Sequence, residues 1–416
     1  MTTNDTRAAK TRVRASTLRG ALRDVGGIVE ARNTIPILSN VLLQVRNQRI
    51  TVTATDLDHW AVRTCATDDR DGPASKEWLD SIRPFTVCLP AKPLEAVLGK
   101  VDGDAMVTIE APCEIGAAWS GPIAVSAGRA RWKLPALPAK EFPDIAGFEV
   151  ASEFEMACGQ LADVLAGVDH AISTEETRYY LNGVYLHPVD LNLLFAATDG
   201  HRLARWSMDG PVGSTSFPPA IVSRKTVAVL GKLLMAAVKA DKANDGAAAA
   251  VQIEANADGS RLRLVMPTEG DGEVEVLAKA IDGTFPDYVR VIPSAPEYRL
   301  IVERAALAAA VERVAVLAET KSRAVKLSLE ADLVTISTRS PELGEASEEL
   351  ACTFSGPPFE IGFDSKFLRE GLGAVASDTV ALQLAAADGA APARISGWED
   401  GGEVGPLLQV LMPVRV

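Results

Sequence analysis

Residues 196–205 read AATDGHRLAR and place three side-chain types that can do chemistry close together. Asp199, His201 and Arg202 fall within one short segment of a chain that has only 4 histidines. An acid two residues before an imidazole would suit part of a hydrolytic site, part of a metal site, or a polar turn. The hydrolytic site is disfavoured because both side chains share one strand end and no nucleophile motif such as GxSxG accompanies them.

The remaining histidines and the cysteines argue against a metal site. His59, His170 and His187 show no ligand spacing to one another or to His201, so neither a metal nor a cofactor is predicted. The 5 cysteines are an odd number at wide spacing with no CxxC pair. They are therefore predicted to be reduced thiols rather than disulfides or zinc ligands.

The composition is that of an ordinary globular protein. Hydrophobic residues make up 47% and charged residues 23% of the 416 residues, which suits two to four domains at about 150 residues each. The N-terminal segment lacks the apolar stretch of a secretory signal and no run suits a membrane span, so a cytoplasmic protein is expected. A net charge of -13 at first sight disfavours a nucleic-acid partner.

An internal repeat organises the chain. The segment VLLQVRNQRITVTATD at 41–56 aligns with VYLHPVDLNLLFAATD at 184–199, and more faintly with VKLSLEADLVTISTR at 325–339. A helix-like segment with apolar residues at helical spacing precedes each copy. A short strand, a lysine and a second helix follow each copy, at 85–101, 220–234 and 359–375.

The repeat predicts an α+β fold of three tandem domains, each with two strand-rich halves and one helix per half. The predicted domains are 1–147, 148–296 and 297–416. Within them the loop at 241–250, DKANDGAAAA, is predicted to be a flexible surface insertion.

The repeat also bears on the polar segment at 196–205. Thr55-Asp56 and Thr198-Asp199 occupy equivalent positions, which indicates a turn in which the Asp side chain accepts backbone N–H groups. Gly200, His201 and Arg202 have no evident counterpart in the first copy, where LDHW follows, or in the third, where SPEL follows. We therefore expect these three residues to serve something specific to the second domain.

Five separated motifs carry a resemblance to a known family: NTIPILSNVLLQV, RYYLNGVYL, AATDGHRLA, DGTFPDYVRVIP and the terminal LMPVRV. They resemble, in order, those of the bacterial DNA polymerase III beta subunits, the sliding clamps, over 11–416. The resemblance implies a non-catalytic homodimeric ring of two head-to-tail subunits that encircles duplex DNA. It also implies partners that bind through short linear peptides: the replicative polymerase catalytic subunit, the clamp loader, and repair and translesion polymerases.

In that family the polar segment forms one wall of a hydrophobic pocket that receives these peptides. Carried over motif by motif, the pocket would comprise Leu181, Thr198, Gly200, His201, Arg202, Leu203, Pro286, Arg290, Val291, Val410, Met412, Pro413, Val414, Arg415 and Val416. The apolar members suit a cleft, and Arg202, Arg290 and Arg415 suit a partner's polar end. Alternatively, 412–416 is only a last core strand, and a strand can serve both roles.

The resemblance also indicates how an acidic protein could hold DNA. By family position the loop residues that touch DNA are Arg32, Asn33, Arg178, Tyr179 and Tyr180. Basic residues on or before predicted helices are further candidates: Lys92, Arg224, Lys225, Lys232, Lys366, Arg19 and Arg23. For each lysine, the alternative is a solvated helix face. The acids Glu175 and Glu176 beside Arg178 disfavour a DNA contact at that position. Of the two tyrosine rings, at least one should be part of the core.

Ring closure needs complementary ends. The predicted strand GRARWKL at 128–134 is basic, and PELGEASEEL at 341–350 is acidic. The predicted dimer interface comprises Arg129, Arg131, Trp132 and Leu134 on one end, with Val316, Leu317, Glu345, Glu348 and Glu349 on the other.

Two features depart from the family pattern: roughly ten additional residues at the N-terminus and an expanded segment at 396–409. They leave open a paralogous clamp that serves repair or inhibitor resistance.

Overall fold

The computed structural model describes residues 8–30, 34–68, 82–112, 119, 121–145, 147–244, 248–268, 272–293, 297–319, 323–384 and 391–416, without the side chains of 241–244. The helices in these ranges are α1 (Ala15–Gly26), α2 (Ala91–Leu98), α3 (Cys158–Val168), α4 (Arg224–Asn244), α5 (Arg304–Val314) and α6 (Ser365–Ala374). Within the described ranges, no helix is both long and apolar enough to span a membrane.

The strands form four antiparallel sheets. Their bounds are β1 (Ala9–Arg14), β2 (Asn40–Arg46), β3 (Arg49–Thr55), β4 (His59–Ala66), β5 (Phe85–Pro90), β6 (Met106–Ala111), β7 (Pro122–Ala127), β8 (Ala130–Pro135), β9 (Ser152–Ala157), β10 (Gly183–Val189), β11 (Asn192–Thr198), β12 (Arg202–Asp209), β13 (Ala220–Ser223), β14 (Ala250–Ala255), β15 (Arg261–Pro267), β16 (Glu273–Lys279), β17 (Tyr298–Glu303), β18 (Ala324–Leu329), β19 (Leu333–Ser340), β20 (Gly344–Ala351), β21 (Thr353–Phe354), β22 (Phe359–Asp364), β23 (Thr379–Leu384), β24 (Ala393–Glu399) and β25 (Gly402–Leu411).

The three aligned segments of the repeat are three hairpins: β2–β3, β10–β11 and β18–β19. In the first, Ile50 and Val52 are buried while Arg49 and Thr51 are more exposed, so one face packs on a core. The turn residues Asn47 and Gln48 both have positive φ, 50° and 60°, as a tight two-residue hairpin turn requires. The predicted helices before and after each hairpin are also present as α1 to α6.

One compact unit consists of Met1–Leu161 and Ala228–Lys279. Its larger sheet has the order β5-β2-β3-β4-β16-β15-β14-β9, and its smaller one β1-β6-β7-β8. The pairing of β4 with β16, with Ala61 opposite Val276, joins a strand of the first repeat to a strand of the second in one sheet. The smaller sheet ends at β8, which is therefore an edge strand.

The other compact unit consists of Ala162–Val227 and Ala280–Val416. Its larger sheet has the order β13-β10-β11-β12-β25-β24-β23-β17-β21, and β20 is the edge strand of its smaller sheet, β20-β19-β18-β22. A core of fully buried side chains that includes Leu307, Leu327, Phe363 and Leu372 lies among α5, α6 and these sheets. Because both large sheets join strands of successive repeats, the exact boundaries 1–147, 148–296 and 297–416 stay a prediction.

Two segments singled out in the sequence are part of regular elements. The stretch at 396–409, which looked expanded, lies in the hairpin β24–β25, whose two-residue turn Asp400-Gly401 has φ of 49° and 80°. The predicted loop at 241–250 was partly wrong, because α4 continues to Asn244. Alanine and lysine are strong helix formers, and in this stretch they outweigh the neighbouring polar residues.

Candidate functional site

The TDGHR segment is a turn between β11 and β12 that Asp199 organises. The backbone N–H groups of His201 and Arg202 donate to Asp199 Oδ1 at 2.9 and 3.0 Å. Arg202 Nε donates to the other carboxylate oxygen at 3.0 Å. Gly200 has φ of 89°, a conformation that glycine adopts without strain. The predicted role of Asp199 as the turn's acceptor is therefore confirmed.

The same turn occurs between β3 and β4 in the first repeat. Asp56 Oδ1 accepts the backbone N–H groups of Asp58 and His59 at 3.0 and 2.7 Å, and the His59 ring contacts Asp56 Oδ2 at 2.9 Å. Leu57 has φ of 80° where the second repeat has glycine. The expectation that Gly200, His201 and Arg202 lack counterparts was thus wrong, because the two turns share their backbone geometry although their residue types differ.

The side chains of this turn nevertheless make contacts with α6. Arg202, 9% exposed, donates to Glu370 Oε2 at 2.5 Å, and its guanidinium lies 4.2 Å from the centre of the Phe367 ring. The His201 ring stacks on Phe367 at 6.2 Å between centroids. Two carboxylates, Asp199 and Glu370, already pair with Arg202 within the chain, and its role toward a partner's polar end stays a prediction.

Phe367 and Glu370 were missed by the sequence prediction. They lie in the third copy of the strand-lysine-helix pattern, about 165 residues after the turn they contact. Their apolar and acidic types are ordinary for a helix, so sequence gave no reason to single them out. Phe367 directly follows Lys366, a residue that the repeat did single out, and this adjacency was the available signal.

Three predicted pocket residues from distant segments meet in one apolar cluster. Leu181, Leu203 and Val410 are buried and pack together, and Leu203 faces Val410 across the β12–β25 ladder. The other buried members of the cluster are Ala196, Ile221, Phe285, Tyr288 and Leu408. The last strand, β25, is therefore core on this face but ends at Leu411, so the alternative that 412–416 is only a last core strand was wrong.

Around this cluster lies a partly exposed apolar rim. Val291 is 50% exposed and Met412 is 40% exposed. The Met412 N–H donates to the His201 carbonyl at 2.9 Å, which joins the C-terminal segment to the TDGHR turn. Pro286 is exposed, Thr198 Oγ1 donates to the Arg202 carbonyl at 2.6 Å, and Arg290 pairs with Asp287 at 2.7 Å.

The end of the chain leaves this cluster. Pro413 and Val414 are half-buried, and the Val414 N–H donates to the Gly362 carbonyl of β22 at 2.9 Å. Arg415 and Val416 line a separate cleft of about 680 Å³ with Lys326 and Thr338, whereas Leu181, Leu203 and Val410 do not line it. The bridge to β22 turns the chain end toward the smaller sheet, and the assignment of Arg415 and Val416 to the peptide pocket stays a prediction.

Uncharged aromatic side chains support the cluster. His187 Nε2 and Tyr288 Oη lie 3.0 Å apart, and the Tyr185 ring stacks on Phe285 at 4.9 Å. Burial lowers the pKa of His187 and raises the pKa of Tyr288 to about 12. Both groups are therefore neutral at physiological pH.

Comparisons with known proteins decide the family. Models of the N-terminal, central and C-terminal domains of the DNA polymerase III beta subunit match residues 10–146, 155–287 and 289–415. The chain belongs to the DNA polymerase III beta subunit family. It is 34% identical over 414 residues to the beta sliding clamp of Caulobacter vibrioides, which covers 98% of this chain and 100% of that relative. The beta sliding clamp of Pseudomonas aeruginosa is 30% identical, covering 95% and 96%.

Solved structures agree with this assignment. The sliding clamp of Bartonella birtlesii bound to griselimycin has a TM-score of 0.85 and 33% identity, covering 98% of this chain and 100% of that one. The sliding clamp of Caulobacter crescentus has a TM-score of 0.81 and 33% identity, with the same coverage. The predicted α+β fold of three clamp domains is confirmed. Beta subunits are non-catalytic, so the alternative of a hydrolase that uses Asp199 and His201 is wrong.

The predicted DNA contacts of this beta subunit divide into paired and exposed groups. Arg178 donates to both oxygens of Glu175 at 2.8 Å and to the Asp199 carbonyl at 2.9 Å. The ion pair raises the pKa of Arg178 and lowers that of Glu175. Arg178 is therefore paired within the chain, as the neighbouring acids indicated, and its contact with DNA stays a prediction.

The tyrosines beside Arg178 have different environments. Tyr179 is 54% exposed, whereas Tyr180 is half-buried against the apolar cluster. The two rings form an edge-to-face pair at 5.9 Å. Tyr180 is thus the ring that packs inward, and Tyr179 is the one available to a ligand.

The helix-borne cations of the beta subunit are mostly exposed. Lys92 on α2, and Arg224 and Lys232 on α4, are exposed, while Lys225 is half-buried. Lys366 is exposed at 3.8 Å from Glu370, Arg23 pairs with Asp24 at 3.6 Å, and Arg19 donates to the Val101 carbonyl at 2.8 Å. Arg32 and Asn33 lie outside the described residues.

The two predicted interface strands are β8 and β20, and each is the edge strand of its four-stranded sheet. On β8 and its turn, Arg129 and Arg131 are exposed and Trp132 is half-buried. Leu134 is only 7% exposed, so it is committed to its own core, which corrects its place in the interface. Val316 is 74% exposed, and Leu317 is half-buried.

The acidic end is already partly paired. Arg313 donates to both oxygens of Glu348, at 2.9 and 2.5 Å, and Arg339 pairs with Glu345 at 2.9 Å. Within the described part of the chain, Glu349 has no such partner. Arginines on α5 and β19 lie within reach of two of the three predicted interface acids, and the role of all three in the interface stays a prediction.

Proposed function

We propose that this chain is a sliding clamp that encircles duplex DNA and tethers the replicative polymerase through the apolar cluster at 181, 203 and 410. The observation that carries the proposal is the meeting of Leu181, Leu203 and Val410 beside the partly exposed Val291 and Met412. A buried apolar floor with an exposed apolar rim is the form that suits two hydrophobic anchors of a short peptide.

The proposed ligand is a segment of the Gln-x-x-Leu-x-Phe kind, carried by the polymerase catalytic subunit, the clamp loader, and repair and translesion polymerases. Burial of two apolar anchors at about 1.5–3 kcal/mol each, less the cost of ordering the peptide, gives about micromolar affinity. That strength allows partners to exchange. His201, Pro286 and Pro413 complete the proposed rim, while Gly200 permits the turn and Thr198 holds it.

We test the pocket by fluorescence polarisation with a labelled peptide of this kind. The double substitution Val291→Ser with Met412→Ser removes the apolar rim without opening the core, so affinity should fall by more than about tenfold. Val212→Ser is the matched control, because Val212 is 98% exposed on a loop after β12. An unchanged affinity in the double variant, with an unchanged melting temperature, would exclude this surface as the docking site.

For the ring, we propose a head-to-tail homodimer in which β8 of one protomer extends the sheet at β20 of its partner. Unpaired edge strands offer main-chain donors and acceptors for such pairing. Trp132 would pack against Val316 and Leu317, and the cations Arg129 and Arg131 would face Glu349. Head-to-tail contacts that use two different ends close into a ring when the rotation permits.

For DNA, we propose weak contacts to phosphates from Lys92, Arg224, Lys225 and Tyr179, and, by family position, from Arg32 and Asn33. A tether that slides needs few and weak contacts, since each fixed one would slow it. The net charge of -13 fits that need, because repulsion from the rest of the surface confines DNA to the few cationic positions. Such a protein would act in the cytoplasm, on the chromosome.

A further inference from the structure

A second cavity lies away from the apolar cluster, between the ends of two helices and the β24–β25 hairpin. Its volume is about 550 Å³, within the range of sites for small organic molecules. Its lining comes from the last turns of α3 and α6, from Trp206 on β12, and from the hairpin. The hairpin part belongs to the 396–409 segment that was noted as expanded, and the proposed peptide site does not use it.

Trp206 forms the aromatic wall of this cavity. A Cβ atom on Gly167 of α3 would lie 2.7 Å from Trp206 Cε3, so the absence of a side chain lets the indole lie directly on the helix. Val375, Val404, Pro406 and Leu407 contribute the remaining apolar surface. The indole is only half-buried, so part of it faces the open space.

The charges of the cavity are all of one sign. Asp163 and Glu399 line it, and none of the lining residues is Lys, Arg or His. Within the described residues neither carboxylate has an ion-pair partner. The last turns of α3 and α6 also carry no basic residue, so their carbonyl ends add partial negative charge.

We propose that this cavity, which we name the Trp206 cavity, binds a small organic monocation with an apolar or aromatic body. An ammonium group would lie near the carboxylates and helix ends, while the body would cover the indole and the valines. Cation–π attraction to the indole and the charge of the two exposed carboxylates both favour a cation over a neutral molecule of equal shape. A neutral ligand would leave the two carboxylates unpaired, and an anionic ligand would be repelled by them.

Fluorine NMR of the full chain with para-fluorobenzylammonium tests the proposal, with para-fluorobenzyl alcohol as the neutral probe. We expect saturable binding of the ammonium about tenfold tighter than that of the alcohol. Glu399→Gln should weaken the ammonium about three- to tenfold and leave the alcohol unchanged. Asp190→Asn is the matched control, since Asp190 lies in the β10–β11 turn at φ 53°, where Asn is well tolerated.

Ala166→Phe places a ring in the cavity from an exposed helix position and should abolish binding of both probes. Labelled-peptide binding in the same variants reports on folding and on the apolar cluster, and it should stay at the wild-type value. Equal affinity for ammonium and alcohol, or ammonium binding that survives both Glu399→Gln and Ala166→Phe, would overturn the proposal.

Discussion

At the residue scale, two aspartates with one backbone role stand in different surroundings. Asp56 and Asp199 each accept two backbone N–H groups, and Asp199 also holds Arg202, which contacts α6. Asp56→Ala and Asp199→Ala should each lower the free energy of unfolding by about 1–2 kcal/mol, because each leaves turn donors unsatisfied. Chemical denaturation measures this loss.

The same two substitutions distinguish an effect on stability from an effect on peptide binding. Only Asp199→Ala should weaken the labelled peptide, by about fivefold, because Arg202 and His201 then lose their fixed position beside Phe367. Asp56→Ala, an equally damaging change elsewhere, should leave peptide affinity intact. Loss of affinity in both variants would mean that general destabilisation, and not the TDGHR turn, is being measured.

His170 gives the fold a pH dependence. Burial lowers its pKa to about 4, and its Nδ1 atom is buried without a hydrogen-bond partner. Between pH 6.5 and 4 the unfolded chain binds a proton that the folded chain does not, so stability falls as the pH falls through this window. The loss from this group is roughly 2–3 kcal/mol and ends near pH 4.

Thermal unfolding at intervals from pH 7.5 to about 4 measures the effect. His170→Gln should flatten the decline, whereas His201→Gln, at an exposed position, should keep the wild-type slope. An unchanged slope in His170→Gln would show that other groups cause the acid sensitivity; His187, whose pKa burial also lowers, would be the next candidate.

At the element scale, the sequence pattern predicted the hairpins and the six helices because apolar spacing alone specifies which face is buried. The strands β1, β9 and β17 were not predicted; each is 6 residues long and runs directly into its helix. The cluster of Leu181, Leu203 and Val410 came from family motifs. The contact of the TDGHR turn with Phe367 depends on long-range packing that local spacing does not encode.

On the edge strand β20, Arg313 of the same chain and the arginines of a partner would compete for Glu348. Glu348 is held by Arg313 of its own chain, so it cannot fully pair with Arg129 or Arg131 of a partner. Arg313→Gln should free that carboxylate and tighten the homodimer up to about fivefold at low salt. Subunit-exchange fluorescence measures the affinity.

The control for this exchange is Arg369→Gln, which breaks a comparable exposed pair with Glu312. That variant should leave the dimer affinity unchanged. If Arg313→Gln instead loosens the dimer, then Arg313 supports β20 and the competition does not exist.

At the scale of the whole molecule, the two large sheets each join strands from successive repeats. Main-chain pairing across repeats supports each large sheet, and in the described part of the chain β8 and β20 are the edge strands proposed to meet a partner protomer. The chain thus needs little affinity for DNA itself. Its hold on DNA would be topological, and the few exposed cations would serve only to orient the duplex.

The most direct test of encirclement compares circular and linear DNA. After loading by a clamp loader onto nicked circular duplex, the protein should stay bound during gel filtration at a salt concentration that removes it from linear duplex. Cutting the circle once should then release it without any change in salt. Equal loss from circular and linear DNA, or retention after the cut, would contradict the account, because binding would then rest on ordinary charge attraction.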